Sequence, residues 1–240
     1  MKMIKEALQY IVGLGNVETK NIGESVYSTE KMYLVPEQTP SVLEVKSLSG
    51  LVEYLVSDFD RDELSEKKMV HVVSPTEVVA FSSFNRDFKR NEYIQAKAMI
   101  PSFAFDRWYE AEDFNIKLQS AFVKNEDRDI MLKVVGNIKE ENVRQIGDDG
   151  VSQAVQAKVG VATVATVQVP NPVSLAPFRT FVEVDQPESD FIFRMQNGPR
   201  CALFESDGGS WKLQAMRNIK DYLRAELETE IEAGKIVIIA

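Results

Sequence analysis

The chain is poor in the residues that staple folds or build metal and nucleophile sites. Its 240 residues include one cysteine, Cys201, and one histidine, His71. A single cysteine excludes an internal disulfide framework and any multi-thiolate metal site. A single histidine excludes sites that draw two imidazoles from one chain. Apolar runs last only a few residues, too short for a membrane-spanning helix. The phosphate-binding pattern G-x-x-x-x-G-K-[ST] and the nucleophile elbow G-x-S-x-G are both missing. Positive charge is in deficit, 28 Lys+Arg against 37 Asp+Glu for a net −9 at pH 7. A field of that sign repels nucleic acid overall and leaves binding only to a local basic patch.

What is present is ordinary globular material, 44 % hydrophobic and 27 % charged. At this length folding buries about 70 % of the chain's surface, so a core forms without metal or disulfide. Lys2, Lys5 and Glu6 among apolar neighbours read as an amphipathic helix rather than a signal peptide. The expectation is a soluble intracellular protein with no membrane association.

Periodicity sets the elements. Ile4, Ala7, Leu8, Ile11 and Val12 form a helical stripe stopped by Gly13 and Gly15. KMYLV (31–35) and VLEV (42–45) read as strands, and Ser47 caps a helix carrying Leu48, Leu51, Leu55 and Val56, weakened by Gly50. Strands are expected at 69–73, 77–84 and 93–100. Asp106 then precedes a stripe of Trp108, Tyr109, Phe114, Leu118, Ala121 and Phe122, predicting one or two helices over 106–123. Asn125 or Asp127 caps the next, which buries Ile130, Met131, Val134, Val135 and Ile138. Asp148-Asp149-Gly150 between 143–146 and 151–156 is a hairpin signal. VGVATVATVQV (159–169) reads as one buried strand, followed by strands at 179–184, 190–196 and 200–205. Ser210 caps a long final helix with Leu213, Met216, Ile219, Tyr222, Leu223, Leu227 and Ile231 facing inward, and Ile236–Ile239 closes as an apolar strand. The fold class is therefore α+β, β-rich, with an antiparallel or mixed sheet and about four to five helices, the longest C-terminal. One domain over 1–240 is expected; a soft boundary at 124–142 would part a mixed half (1–124) from a β-rich half (143–240).

Most chemical motifs fail on their own geometry. Gly13-Leu14-Gly15 follows a helix, whereas a dinucleotide fingerprint must follow a strand. Asp58, Asp60 and Asp62 alternate as in a calcium loop, but the required glycine and bidentate glutamate are replaced by Glu63 and Met69. Asp106, Glu110 and Asp113 at i, i+4 and i+7 would put three carboxylates on one helical face, fit for Mg²⁺ or simply for the helix dipole. Glu226, Glu228, Glu230 and Glu232 alternate between faces and do not converge. His71 and Cys201 would make a thiolate–imidazole pair only if the fold brought them together. No catalytic residue, metal site or cofactor is assigned. The segment Phe84-Asn85-Arg86-Asp87-Phe88-Lys89-Arg90-Asn91 offers rings for base stacking and cations for phosphate, although a charged hairpin turn has much the same composition.

The order of segments resembles the YfdQ-like family of bacteriophage and prophage proteins. The resemblance rests on YLVPE (33–37), SLSGLVEYL (47–55), the 93–122 block with Pro101, and above all VQVPNPVSLAPF (167–178) followed by FIFRM (191–195), CALFE (201–205) and the C-terminal helix. It implies a product made in the cytoplasm of an infected or lysogenic bacterium and brings no catalytic residues with it. Together these readings lead to a non-enzymatic accessory protein acting as a homo-oligomer, with Ile236, Val237, Ile238 and Ile239 as interface candidates. One alternative is binding of single-stranded nucleic acid through Phe84, Arg86, Phe88, Lys89 and Arg90. Another is counter-defence by sequestering a host protein or a nucleotide.

Overall fold

The computed structural model describes residues 5, 7–10, 13, 15, 18–22, 25–28, 39–57, 59–60, 66–85, 87–136, 145–148, 153–159, 163–168, 171–196 and 200–240. They belong to two compact units, Met1–Thr39 and Pro40–Ala240. The 124–142 stretch runs within the second unit. In the first, residues 5, 7–10 and 13 are helical, and β1 (Thr19–Ile22) pairs antiparallel with β2 (Ser25–Ser28). The strand expected at 31–35 lies outside the described residues.

The second unit is an α+β fold. In chain order it comprises β3 (Leu43–Val45), α1 (Leu48–Val56), β4 (Lys68–Ser74), β5 (Glu77–Phe84), β6 (Arg90–Lys97), β7 (Tyr109–Glu110), α2 (Ala111–Ala121) and α3 (Glu126–Gly136). Then follow β8 (Gln145–Asp148), β9 (Gln153–Val159), β10 (Thr163–Gln168), β11 (Val173–Leu175), β12 (Ser189–Gln196), β13 (Arg200–Glu205), α4 (Trp211–Glu226), α5 (Glu228–Glu232) and β14 (Ile236–Ile239). A mixed five-stranded sheet runs in the order β14-β4-β5-β6-β3, with the outer pairs β14–β4 and β3–β6 parallel. An antiparallel four-stranded sheet runs β11-β12-β13-β7, and β8, β9 and β10 form a three-stranded meander.

Each of the two larger sheets buries one face. Val70, Val72, Val78, Ala80, Ile94, Ala96, Ile236 and Ile238 alternate onto the inner face of the first sheet. They pack on Leu48, Leu51 and Leu55 of α1 and on Ile219 and Leu223 of α4. The expected cap of α1 is in place, with the Ser47 hydroxyl accepting the Gly50 N–H at 3.1 Å. Gly50 earns its position: a Cβ there would lie 3.0 Å from that same oxygen. The second core collects Phe114, Leu118 and Phe122 with Met131, Val134 and Val135 against Val173, Phe191, Phe193 and Leu203. Asn125 caps α3, its Oδ1 accepting the Arg128 N–H at 2.9 Å.

Four expectations change. The helix predicted from residue 106 begins at Ala111, because Asp106 takes a left-handed φ of 59° and its N–H donates to the Leu203 carbonyl, drawing 103–108 over the second sheet. Segment 159–169 is not one strand: β9 ends at Val159 and pairs back with Thr163 of β10. Residues 179–184 join no ladder. Their amides are met instead by the Gln186 side chain, whose Oε1 accepts the N–H groups of Arg179 and Thr180. Finally, Ser210 makes no side-chain cap; the turn before α4 is held by Asp207, which accepts the Gly209 N–H at 2.9 Å.

Segment 176–189 ties the two cores together. Phe181 and Val184 enter the first core, while Phe178 donates its N–H to the Ala121 carbonyl beside the second. The Glu183 carboxylate accepts the Leu48 N–H at 2.8 Å and so caps α1 from across the chain. Arg179 is buried on the Trp211 ring, 3.9 Å from its centroid, and pairs with Glu205 at 2.8 Å and with the Ser189 hydroxyl.

Candidate functional site

The five-stranded sheet ends on one side in β14. Its four residues alternate as the period-two pattern demands: Ile236 and Ile238 point into the core, while Val237 is 53 % and Ile239 37 % exposed. The parallel ladder to β4 decides which backbone groups are free. Lys68 donates its N–H to the Lys235 carbonyl, and Ile236 is its register partner. The odd-numbered residues of β14 therefore bond β4, and the N–H and C=O of Ile236 and Ile238 point away from the sheet. Among the described residues nothing accepts or donates to them. The strand has neither charge nor proline nor bulge to blunt this edge. On the outer face, register places Val237 beside Met69 and Phe81, and Ile239 beside His71 and Val79. The four interface candidates thus divide into two core residues with free backbone groups and two exposed side chains.

The second candidate is the turn between β5 and β6. Asn85 organises it: its Oδ1 accepts the N–H of Asp87 at 3.0 Å and of Lys89 at 2.9 Å, and its own N–H donates to the Lys89 carbonyl. Phe88 sits at the tip with a left-handed φ of 58° and an 84 % exposed side chain. Phe84, 60 % exposed, carries the Arg90 guanidinium 4.1 Å over its ring, and Arg90 Nη1 donates to the Ser82 carbonyl. Phe84, Phe88, Lys89 and Arg90 thus meet at one hairpin end. Arg86 lies outside the described residues.

Other sequence candidates do not assemble. Asp106 lies in a turn, Glu110 in β7 and Asp113 in the first turn of α2, so they share no helical face; Glu110 pairs instead with Arg200 at 2.8 Å. Among the described residues no group of three His, Cys, Asp or Glu is placed to hold a metal ion. His71 is on β4 of the first sheet and Cys201 on β13 of the second. Burial pushes the Cys201 thiol up to about 12, so it stays protonated and unreactive at neutral pH. A depression of about 340 Å³ between α2 and α3 is lined by Ala111, Glu112, Asn115, Ile116, Val135 and Gly136. No helix among the described residues is long and apolar enough to cross a membrane.

Sequence reasoning missed the Arg179 cluster, because nothing local distinguishes a buried arginine from a solvated one. Burial lowers Arg179 to about 10, opposed by Glu205 and Asp207, so it remains a cation at pH 7. Burial pushes Asp207 upward, but the backbone N–H of Gly209, the Ser189 hydroxyl, the backbone N–H of Trp211 and Arg179 outweigh it, holding the carboxyl below its ordinary value. Arg179 and Ser189 are buried in this cluster, while Glu205 and Asp207 keep part of their surface in solvent. Comparison with family models, curated proteins and solved structures gives no match.

Proposed function

We propose that the chain is a phage- or prophage-encoded accessory protein, without enzymatic activity, that works in the bacterial host cytoplasm as a homo-oligomer. The phage origin rests on the segment resemblance set out above. Self-association rests on the bare edge of β14. A two-fold axis through Val237, perpendicular to the sheet, sets Ile236 of one copy opposite Ile238 of the second, and the free N–H and C=O groups of each pair exchange hydrogen bonds. The operation joins two five-stranded sheets into one, abolishes the exposed edge and merges the two apolar outer faces. Isologous pairing needs no other chain, which favours a second copy over an unrelated strand.

In this register Val237 faces its own copy as a non-hydrogen-bonded pair, with Cα atoms about 4.5 Å apart, inside the range a disulfide spans. Light scattering on the purified chain should give twice the monomer mass at micromolar concentration. Mild oxidation of Val237→Cys should then trap a covalent dimer, with the native thiol of Cys201 too buried to compete. A monomer under both conditions removes the reading.

A further inference from the structure

The β5–β6 turn is built at a loss to the fold. A left-handed backbone at a residue with a Cβ costs about 1–2 kcal/mol, and glycine or asparagine is the usual occupant of such a site. Here the residue is Phe88, and its ring is left in solvent, recovering no burial. The turn is nevertheless held in one shape by Asn85, whose side chain and main chain together bind Asp87, Phe88 and Lys89. One strand-end away, Phe84 and Arg90 form a second exposed stack, fixed by the Arg90–Ser82 bond. Two rings, a guanidinium plane and an ammonium are therefore presented together on a pinned support. Ordering them on contact needs little further entropy.

We propose that this tip binds single-stranded nucleic acid, with one base stacking on Phe88, another on the Phe84–Arg90 stack, and Lys89 beside the intervening phosphate. Every base offers a π-face, so such a platform tolerates sequence, and guanidinium planes stack as rings do. Lysine is depleted in the cores of protein–protein interfaces, which makes Lys89 a poor neighbour for a protein-binding aromatic anchor. The residues described in 84–91 carry two cations and one carboxylate on a chain of net −9. A polyanion is repelled by the bulk of the protein and meets its counter-charges here in Lys89 and Arg90.

The test is fluorescence anisotropy of a labelled oligothymidylate of about 16 nucleotides, titrated with the intact chain at about 50 and about 200 mM salt. The expected result is binding that weakens with salt. Phe88→Gly removes the ring and suits the left-handed backbone, so it should weaken binding about ten-fold or more while the melting temperature holds or rises. Lys89→Ala should make the salt slope shallower by about 0.7. Absence of binding by the parent chain, or unchanged affinity in Phe88→Gly, overturns the proposal. A Phe88→Gly chain whose native mass falls while no oligonucleotide binds overturns it in favour of a protein contact at the tip. Because Phe88 lies in the β5–β6 turn, distant in sequence from β14, loss of the dimer in Val237 variants with binding retained leaves this proposal standing alone.

Discussion

The two edges of the five-stranded sheet are guarded differently. At the β3 edge the strand is three residues long and carries Glu44, whose carboxylate meets Lys46 and, at 3.0 Å, Lys97. Charges on a short strand are the usual protection against unwanted pairing. At the β14 edge stand four consecutive aliphatic residues with no charge among them, and the amides and carbonyls of Ile236 and Ile238 face outward. Both strands pair in parallel with their neighbours, so the ladder type does not separate them. What separates the edges is that one carries charge and the other does not.

The largest expected effect tests whether β14 belongs to the fold at all. Ile236→Ala strips a core-facing side chain and should destabilise the chain by about 2 to 5 kcal/mol in urea unfolding. A shift near zero would mean that β14 is only appended to the sheet. Next comes the edge itself. Val237→Lys changes a side chain on the outer face, so stability should move by less than about 0.5 kcal/mol. Scattering should nevertheless report a monomer where the parent is dimeric. Persistence of the dimer would move the interface elsewhere.

Acid separates edge from hub. The Asp207 carboxyl is held below its ordinary value when folded, so its contribution is present above the unfolded value and is lost as pH falls through the folded one. Asp207→Asn should therefore lower the melting temperature at neutral pH and flatten its decline below about pH 4. A parallel downward shift of the whole profile, with no flattening, would assign the acid sensitivity to other carboxylates. Glu44 titrates with the same sign, held low by its bonds to Lys46 and Lys97, but it lies at the surface. Glu44→Gln should thus be the mildest change, leaving native mass and unfolding midpoint where they were. If it drives larger assemblies, the charged edge was performing the guarding assigned to it.

The parts legible in the sequence are those governed by neighbours along the chain. The α1 stripe with its Ser47 cap and the alternation in β4 and β12 each follow from a period of 3.6 or 2 and one capping atom. The hairpin tip was legible as composition, because rings and cations adjacent in sequence stay adjacent across a tight turn. Where local pattern and tertiary demand disagreed, the tertiary demand won. The aromatic run before α2 has helical spacing, yet Phe103 and Phe105 serve the second core, and Asp106 is bent left-handed so that they reach it. Leu213, placed on the buried stripe of the last helix, is 62 % exposed because α4 turns Ala215, Ile219 and Leu223 inward, with Met216 and Tyr222 packed beside them.

The sequence by itself determined the α+β class and most strand positions, since these depend on side-chain period. It did not determine that β14 would lie at an edge, that Glu183 would cap a helix 135 residues away in the chain, or that Arg179 would be buried against Trp211. Those depend on which strands become neighbours, and strand order is set by the joint burial of two sheet faces and the loops between them. No segment carries that information alone.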